Sequence, residues 1–140
     1  MENPKDAKTF TEVDPALDEI ASKVVDAAFK VHSKLGPGLL ENAYEACLAY
    51  EITQKGLRIE QQKPLPLVYE SVKLNVGFRI DLLVEDRLIV EIKAVDSFAP
   101  IHEAQVLTYL RLMDQPLALL INFNTRFIKN GLRRIVLSKK

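Results

Sequence analysis

The chain predicts an α/β fold in which helices flank a mixed sheet, and three observations carry that reading. Apolar residues recur at helical spacing through the first third of the sequence. The pattern then changes to short strand-like runs between Leu57 and Val95, many of them divided by Pro, Gly or charged turn residues. Finally, an amphipathic segment is followed by Leu117-Ala118-Leu119-Leu120-Ile121-Asn122-Phe123, an apolar run suited to a central strand covered on both faces. Helices, a strand meander, a helix and a strand, in that order, describe layers around a mixed sheet.

Asp14-Pro15 begins the first helix, with a capping acid followed by Pro at the first helical position. Leu17, Ile20, Ala21, Val24, Ala28, Val31 and Leu35 form its apolar stripe, and Gly36-Pro37-Gly38 ends it. A second helix is predicted from about Leu39 to Lys55, with Gly56 as its cap and Leu40, Tyr44, Cys47, Leu48 and Ile52 facing inward. Short strands are predicted at Leu57 to Gln61 and Leu65 to Tyr69. Two longer ones follow, Lys73 to Val84 and Leu88 to Val95, joined by Glu85-Asp86-Arg87. A helix from Pro100 to Met113 precedes the apolar run, and Asn130-Gly131 turns the chain into a last strand near Leu132 to Leu137.

The length of 140 residues fits one domain, expected over 13–140 behind a loose polar tail at 1–12. Nineteen basic and nineteen acidic residues cancel, which argues against coating nucleic acid by charge alone. The single Cys47 excludes an internal disulfide and a cysteine-cluster metal site; an inert core thiol is expected. No stretch approaches a membrane span and no signal-peptide core opens the chain, so a cytoplasmic protein without membrane contact is expected.

The chemistry concentrates in Leu88-Ile89-Val90-Glu91-Ile92-Lys93-Ala94-Val95. Glu91 and Lys93 share a face of a strand that should be buried, and buried charges need partners or a metal. With eleven Glu and twelve Lys, a Glu-x-Lys triplet arises roughly once by chance, so position carries the weight. Asp81 repeats the anomaly in Phe78-Arg79-Ile80-Asp81-Leu82-Leu83-Val84. A three-residue loop at Glu85-Asp86-Arg87 sets Val84 against Leu88 and Asp81 against Glu91, with Cβ atoms about 4.5–5.5 Å apart. A two-residue loop would put them on opposite faces. A hairpin with a merely solvated charged face is the other reading. Mg²⁺, or Mn²⁺ in its place, would suit Asp81, Glu91 and the main-chain carbonyl of Ile92 as oxygen ligands. Lys93 would then orient water or stabilise charge during phosphodiester hydrolysis.

Other candidates are less specific. Glu41 and Tyr44 share a helix face, although Glu41 equally suits the helix dipole. Gln105 and Tyr109 share a face of the later helix, where an ordinary polar edge is the simpler account. Arg126, Lys129, Arg133, Arg134, Lys139 and Lys140 form an acid-free stretch that either tracks phosphates or protects an edge strand. His32 and His102 lack metal-ligand spacing and are read as structural, with His102 the better functional candidate.

Glu41, Asp81, Glu91-Ile92-Lys93 and Gln105-x-x-x-Tyr109 together resemble the PD-(D/E)XK nuclease superfamily, in its branch with a trailing Q-x-x-x-Y motif. Gly38-Leu39-Leu40-Glu41-Asn42-Ala43-Tyr44 resembles the signature of the GxxExxY family of prokaryotic proteins within it. The resemblance runs from about Val13 to Leu137 and implies a restriction-endonuclease-like αβββαβ core. It implies metal ligation by Asp81 and Glu91, catalysis by Lys93 and an additional acid at Glu41. Gln105 and Tyr109 would support the site or contact a nucleic acid backbone. Ile80 stands where the proline of the motif's name would be. DNA is the favoured substrate over RNA, with a homodimer or a partner protein supplying further recognition surface. A non-cleaving nucleic-acid-binding or accessory module, or a protein-interaction domain, would keep the same fold.

Overall fold

The computed structural model describes residues 13–138; the tail expected at 1–12 lies outside them. Helix α1 (Pro15–Leu35) starts as its sequence requires. Asp14 caps it by accepting from the Leu17 amide at 2.8 Å, and Pro15 occupies the first turn. Helix α2 (Glu41–Gln54) follows the left-handed glycines Gly36 and Gly38. Leu40 is the residue before that helix, not part of its inner face, and is 77% exposed. Leu35, the last residue of α1 before the Gly36 cap, is likewise exposed.

Among the described residues seven strands follow: β1 (Ile59–Pro64), β2 (Leu67–Tyr69), β3 (Val72–Leu74), β4 (Arg79–Val84), β5 (Leu88–Lys93), β6 (Leu117–Asn122) and β7 (Leu132–Val136). Helix α3 (Pro100–Met113) connects β5 to β6, and a 3₁₀ turn at Ile128–Gly131 precedes β7. The main sheet runs β1-β4-β5-β6-β7. Only β5 and β6 are parallel, as a helical crossover demands, and the remaining neighbours are antiparallel.

Several strand boundaries differ from expectation: β2 begins at Leu67 rather than Leu65, and β5 ends at Lys93 rather than Val95. Lys73 to Val84 is not one strand. Asn75 accepts from the Gly77 amide at 3.3 Å, and Gly77 takes φ +84, so the chain turns between β3 and β4. β3 pairs instead with β2 in a separate hairpin whose turn residues, Glu70 and Ser71, are both left-handed. β1 lies later than expected and includes Pro64, which an edge strand tolerates because one side of its ladder is free.

The sheet divides two apolar clusters. Leu82, Val84, Leu88, Val90, Leu119 and Ile121 pack with α1 and α2 on one side. Leu83, Ile89, Ala118, Leu120 and Ile135 pack with Val106, Tyr109 and Leu110 of α3 on the other. All six residues of β6 are buried, as the continuous apolar run predicts. Cys47 is partly buried against the first cluster, and its thiol is free.

Candidate active site

The β4–β5 hairpin sets the central geometry. Glu85 and Asp86 adopt φ +54 and +58, and the Arg87 amide donates to the Val84 carbonyl at 3.0 Å. Such a turn holds Val84 opposite Leu88, followed by Leu83–Ile89 and Leu82–Val90. One step further, at Asp81 and Glu91, side chains replace the backbone ladder. The Asp81 amide donates to Glu91 Oε2 at 2.9 Å, and the Ile92 amide donates to Asp81 Oδ2 at 2.8 Å. This interlock differs from the plain cross-strand pair expected from the alternation. Its cause lies in β4, where Ile80 and Leu83 both join the α3-side cluster, so alternation breaks between them.

Glu91 is only 4% exposed. Burial, reinforced by the nearby Asp81 carboxylate, pushes its pKa up to about 8. Lys93 acts in the opposite direction, favouring the ionised acid. In β5, Val90 and Ile92 point into the first cluster, so Glu91 and Lys93 alternate toward α3. Tyr109 approaches from α3, buried, with its ring centroid 5.8 Å from Phe78. Burial, then the Glu91 and Asp81 charges, raise its pKa. Gln105, one turn earlier, is exposed at the surface of the same helix.

The Gly38-x-x-Glu41-x-x-Tyr44 segment has a mechanical logic. Tyr44 is fully buried and stacks on Phe123, with centroids 4.6 Å apart. Its hydroxyl donates to the Gly36 carbonyl at 2.6 Å and accepts from the Leu39 amide at 3.1 Å. Gly38 takes φ +106, a conformation few side chains allow, and its amide meets Asn124 Oδ1 at 3.1 Å. Tyr44 is therefore committed to the loop, and Glu41 is left facing the end of β5, where its Oε2 accepts from the Ala94 amide at 3.3 Å.

Four residues without an assigned role in the sequence join this region. Asn122, 2% exposed, clamps the exit of β5: it accepts from the Val95 and Asn124 amides and donates to the Val95 carbonyl at 2.9 Å. Glu45 follows Glu41 by one helical turn and accepts from Gln61 and Gln62, and Gln62 also donates to Asp81 Oδ1 at 3.2 Å. The acid at i+4 was a visible signal on the helix; the glutamines had none.

The C-terminal arginines do not form one stripe. Arg133 opposes Leu120, which in turn neighbours Glu91, so it stands in the Glu91 row on the α3 side. Its guanidinium lies 4.8 Å from the Phe98 ring centroid and 3.9 Å from Glu103. Arg134 points to the opposite face and pairs with Asp18 of α1 at 2.6 Å. Lys139 and Lys140 lie outside the described residues. His32 is structural, its Nε2 2.8 Å from the Thr125 carbonyl, while His102 Nδ1 accepts from the Ala99 amide at the start of α3.

The donor set can be tested against a divalent cation. Among the described residues no group of three or more His, Cys, Asp or Glu could hold one. Two close carboxylates nevertheless suit Mg²⁺, which usually takes one or two plus water and substrate phosphate. The Phe123 amide uses the Lys93 carbonyl, so by alternation the Ile92 amide and carbonyl both turn toward β4 and Asp81. Two acids with a flanking carbonyl thus fit the group.

A five-stranded mixed sheet between α1–α2 and α3, with this hairpin at its centre, defines a restriction-endonuclease-like α/β protein. The profile of the PD-(D/E)XK nuclease superfamily matches residues 18–135, and the chain belongs to that superfamily. Membership points to nuclease activity and hence to a nucleic acid substrate. No curated protein and no solved structure matches the chain. Among the described residues, no helix is long and apolar enough to cross a membrane.

Proposed function

We propose that this chain is a metal-dependent nuclease of the GxxExxY branch, with residues 13–140 as one catalytic domain that hydrolyses phosphodiesters, in DNA ahead of RNA. The observation that supports this best is the Asp81–Glu91 interlock on adjacent strands, with Lys93 two residues beyond Glu91. Asp81, Glu91 and the Ile92 carbonyl would hold Mg²⁺ or Mn²⁺. Such a cation supplies Lewis-acid polarisation of a phosphate oxygen and offsets charge developing at phosphorus.

The remaining work falls to side chains. Lys93 orients the attacking water and stabilises the charge that builds as the new P–O bond forms and the bond to the leaving sugar oxygen breaks. Glu41, beside the end of β5, would be the acid that accepts a proton from that water. Tyr109 walls the site on the α3 side, and Gln105 and Arg133 would contact a phosphate backbone there. A cytoplasmic location follows from this reading, and a second copy or partner protein would extend the recognition surface.

Cleavage of single- and double-stranded DNA and RNA, with Mg²⁺, with Mn²⁺ and with chelator, tests the proposal. Metal-dependent cleavage that disappears in Glu91→Ala and Lys93→Ala is the expected result. Cleavage surviving either substitution overturns the mechanism. Salt-dependent binding without any cleavage would instead identify a non-cleaving accessory module of the same fold.

A further inference from the structure

We infer that Gln62 is a positioning residue for the Asp81 carboxylate and is itself anchored by Glu45; this rests on the metal-dependent reading above. Gln62 Nε2 lies 3.2 Å from Asp81 Oδ1 and 2.8 Å from Glu45 Oε1. An amide nitrogen carries two hydrogens, so both are spent on these acids. The carboxylate oxygens accept from it, which fixes the end of the amide that faces them.

The backbone explains how Gln62 reaches both. Consecutive strand residues point to opposite faces, yet Gln61 and Gln62 both donate to Glu45, at 3.2 and 2.8 Å. Gln62 takes φ +52, rare for a residue other than Gly, Asn or Asp, and this reverses its side chain. The β1–β4 register pairs Gln61 with Leu82 and Lys63 with Ile80, while the intervening Gln62–Asp81 step is not paired. Backbone strain of this kind persists only where the surroundings hold it.

The result is a carboxylate gripped from both neighbouring strands. Gln62 of β1 holds Oδ1, and the Ile92 amide of β5 holds Oδ2 at 2.8 Å. Each oxygen keeps a lone pair for a cation, and the carboxylate plane cannot swing away. Glu45 is not a ligand in this arrangement; it aims the amide that aims Asp81. Outer partners of this kind commonly change metal affinity by about 10- to 100-fold.

Titration of the full chain with Mn²⁺ alone tests this. Gln62→Gly removes the amide at a backbone angle glycine accepts freely, and should bind Mn²⁺ about 10- to 100-fold more weakly. Gln62→Asn tolerates the same angle but is one methylene too short to span both acids, and guards against a folding defect by giving the same loss. Raised Mn²⁺ should restore cleavage in both, as misfolding would not allow. Glu45→Gln keeps an acceptor for the amide and should retain affinity, whereas Glu45→Ala should lose it. The double variant Gln62→Gly/Glu45→Ala should be no weaker than Gln62→Gly, since Glu45 acts through Gln62. Wild-type affinity in Gln62→Gly, or losses that multiply in the double variant, overturns the proposal alone. A wild-type chain that binds no Mn²⁺ overturns the metal-dependent reading and this proposal together.

Discussion

Asp81 and Glu91 are joined through the backbone: the Asp81 amide donates to the Glu91 carboxylate at 2.9 Å, and the Asp81 carboxylate accepts from the next residue, Ile92, at 2.8 Å. Each acid occupies a place that a carbonyl would hold in an unbroken ladder. Two carboxylates are thereby kept close in a site where one of them is almost fully buried.

That burial predicts how stability depends on pH without metal. The Glu91 pKa is raised from 4.5 to about 8, so between these values the folded state retains a proton that the unfolded state releases. Stability from this group is therefore full below the lower value and is lost as pH rises toward the upper one. In chelator, wild type should lose more melting temperature than Glu91→Gln between about pH 5 and pH 8.5. Mn²⁺ should recover more of it in wild type than in the variant. Parallel pH profiles for the two proteins would rule out the buried acid as the source.

The Lys93 charge acts on Glu91 and favours its ionised form. Lys93→Met keeps the aliphatic stem and removes the charge. Cleavage should fall about 10²- to 10³-fold in kcat, the scale of a lost charge-stabilising donor. The pH interval over which Glu91 destabilises the protein should also extend to higher pH. A variant that keeps its kcat places the catalytic charge elsewhere.

Tyr44 and Glu41 separate stability from chemistry within one segment. Tyr44→Phe leaves the stack on Phe123 but strips a buried hydroxyl from Gly36 and Leu39. A loss of about 1–3 kcal/mol is expected, read as a lower urea midpoint at unchanged slope. Glu41→Gln removes an exposed charge holding one 3.3 Å contact, so stability should stay within about 0.5 kcal/mol while cleavage falls. The opposite pattern would make Glu41 a helix-capping acid and nothing more.

How much of this could be read in the chain depends on whether a signal was local. Glu85-Asp86-Arg87 offered a three-residue loop beside a two-residue alternative, and the observed pairing of Val84 with Leu88, which brings Asp81 beside Glu91, is that of the three-residue loop. Burial of all of β6 followed from its unbroken apolar run. The break between β3 and β4 escaped because Asn75 and Gly77 sit inside an otherwise alternating pattern, where one left-handed residue redirects the strand. Gln62 escaped for a related reason: nothing about a glutamine in a polar edge strand announces a positive φ. The split of Arg133 and Arg134 was implicit in adjacency along a strand, but a count of basic residues hid it.

That split predicts unequal roles. Arg133 shares the Glu91 row on the α3 side, whereas Arg134 is tied to Asp18 on the far face. Arg133→Ala should weaken nucleic acid binding and lower the salt slope by about one phosphate contact. Arg134→Ala breaks a half-exposed ion pair, so stability should change by less than about 1 kcal/mol and binding should not change. Equal losses of binding from both variants would mean that nucleic acid reaches both faces of the sheet.

Asn122 offers the sharpest test of how the fold aims Lys93. Its amide satisfies both backbone groups of Val95, two residues beyond Lys93, and also receives the Asn124 amide. At 2% exposure, water cannot easily replace it. Asn122→Ala should cost about 1–3 kcal/mol, since it leaves partly buried backbone groups of Val95 and Asn124 without this partner. Asn122→Asp keeps the acceptor, forfeits the donor to the Val95 carbonyl and buries a charge, so it should destabilise as well. In Asn122→Ala, which removes the acceptor, the Val95 amide should exchange with solvent faster than its neighbours in β5, and in both variants kcat should fall even where the protein remains folded. Slow exchange at Val95 in Asn122→Ala would show that the β5 exit is held by other contacts, and that the register of Lys93 does not depend on this side chain.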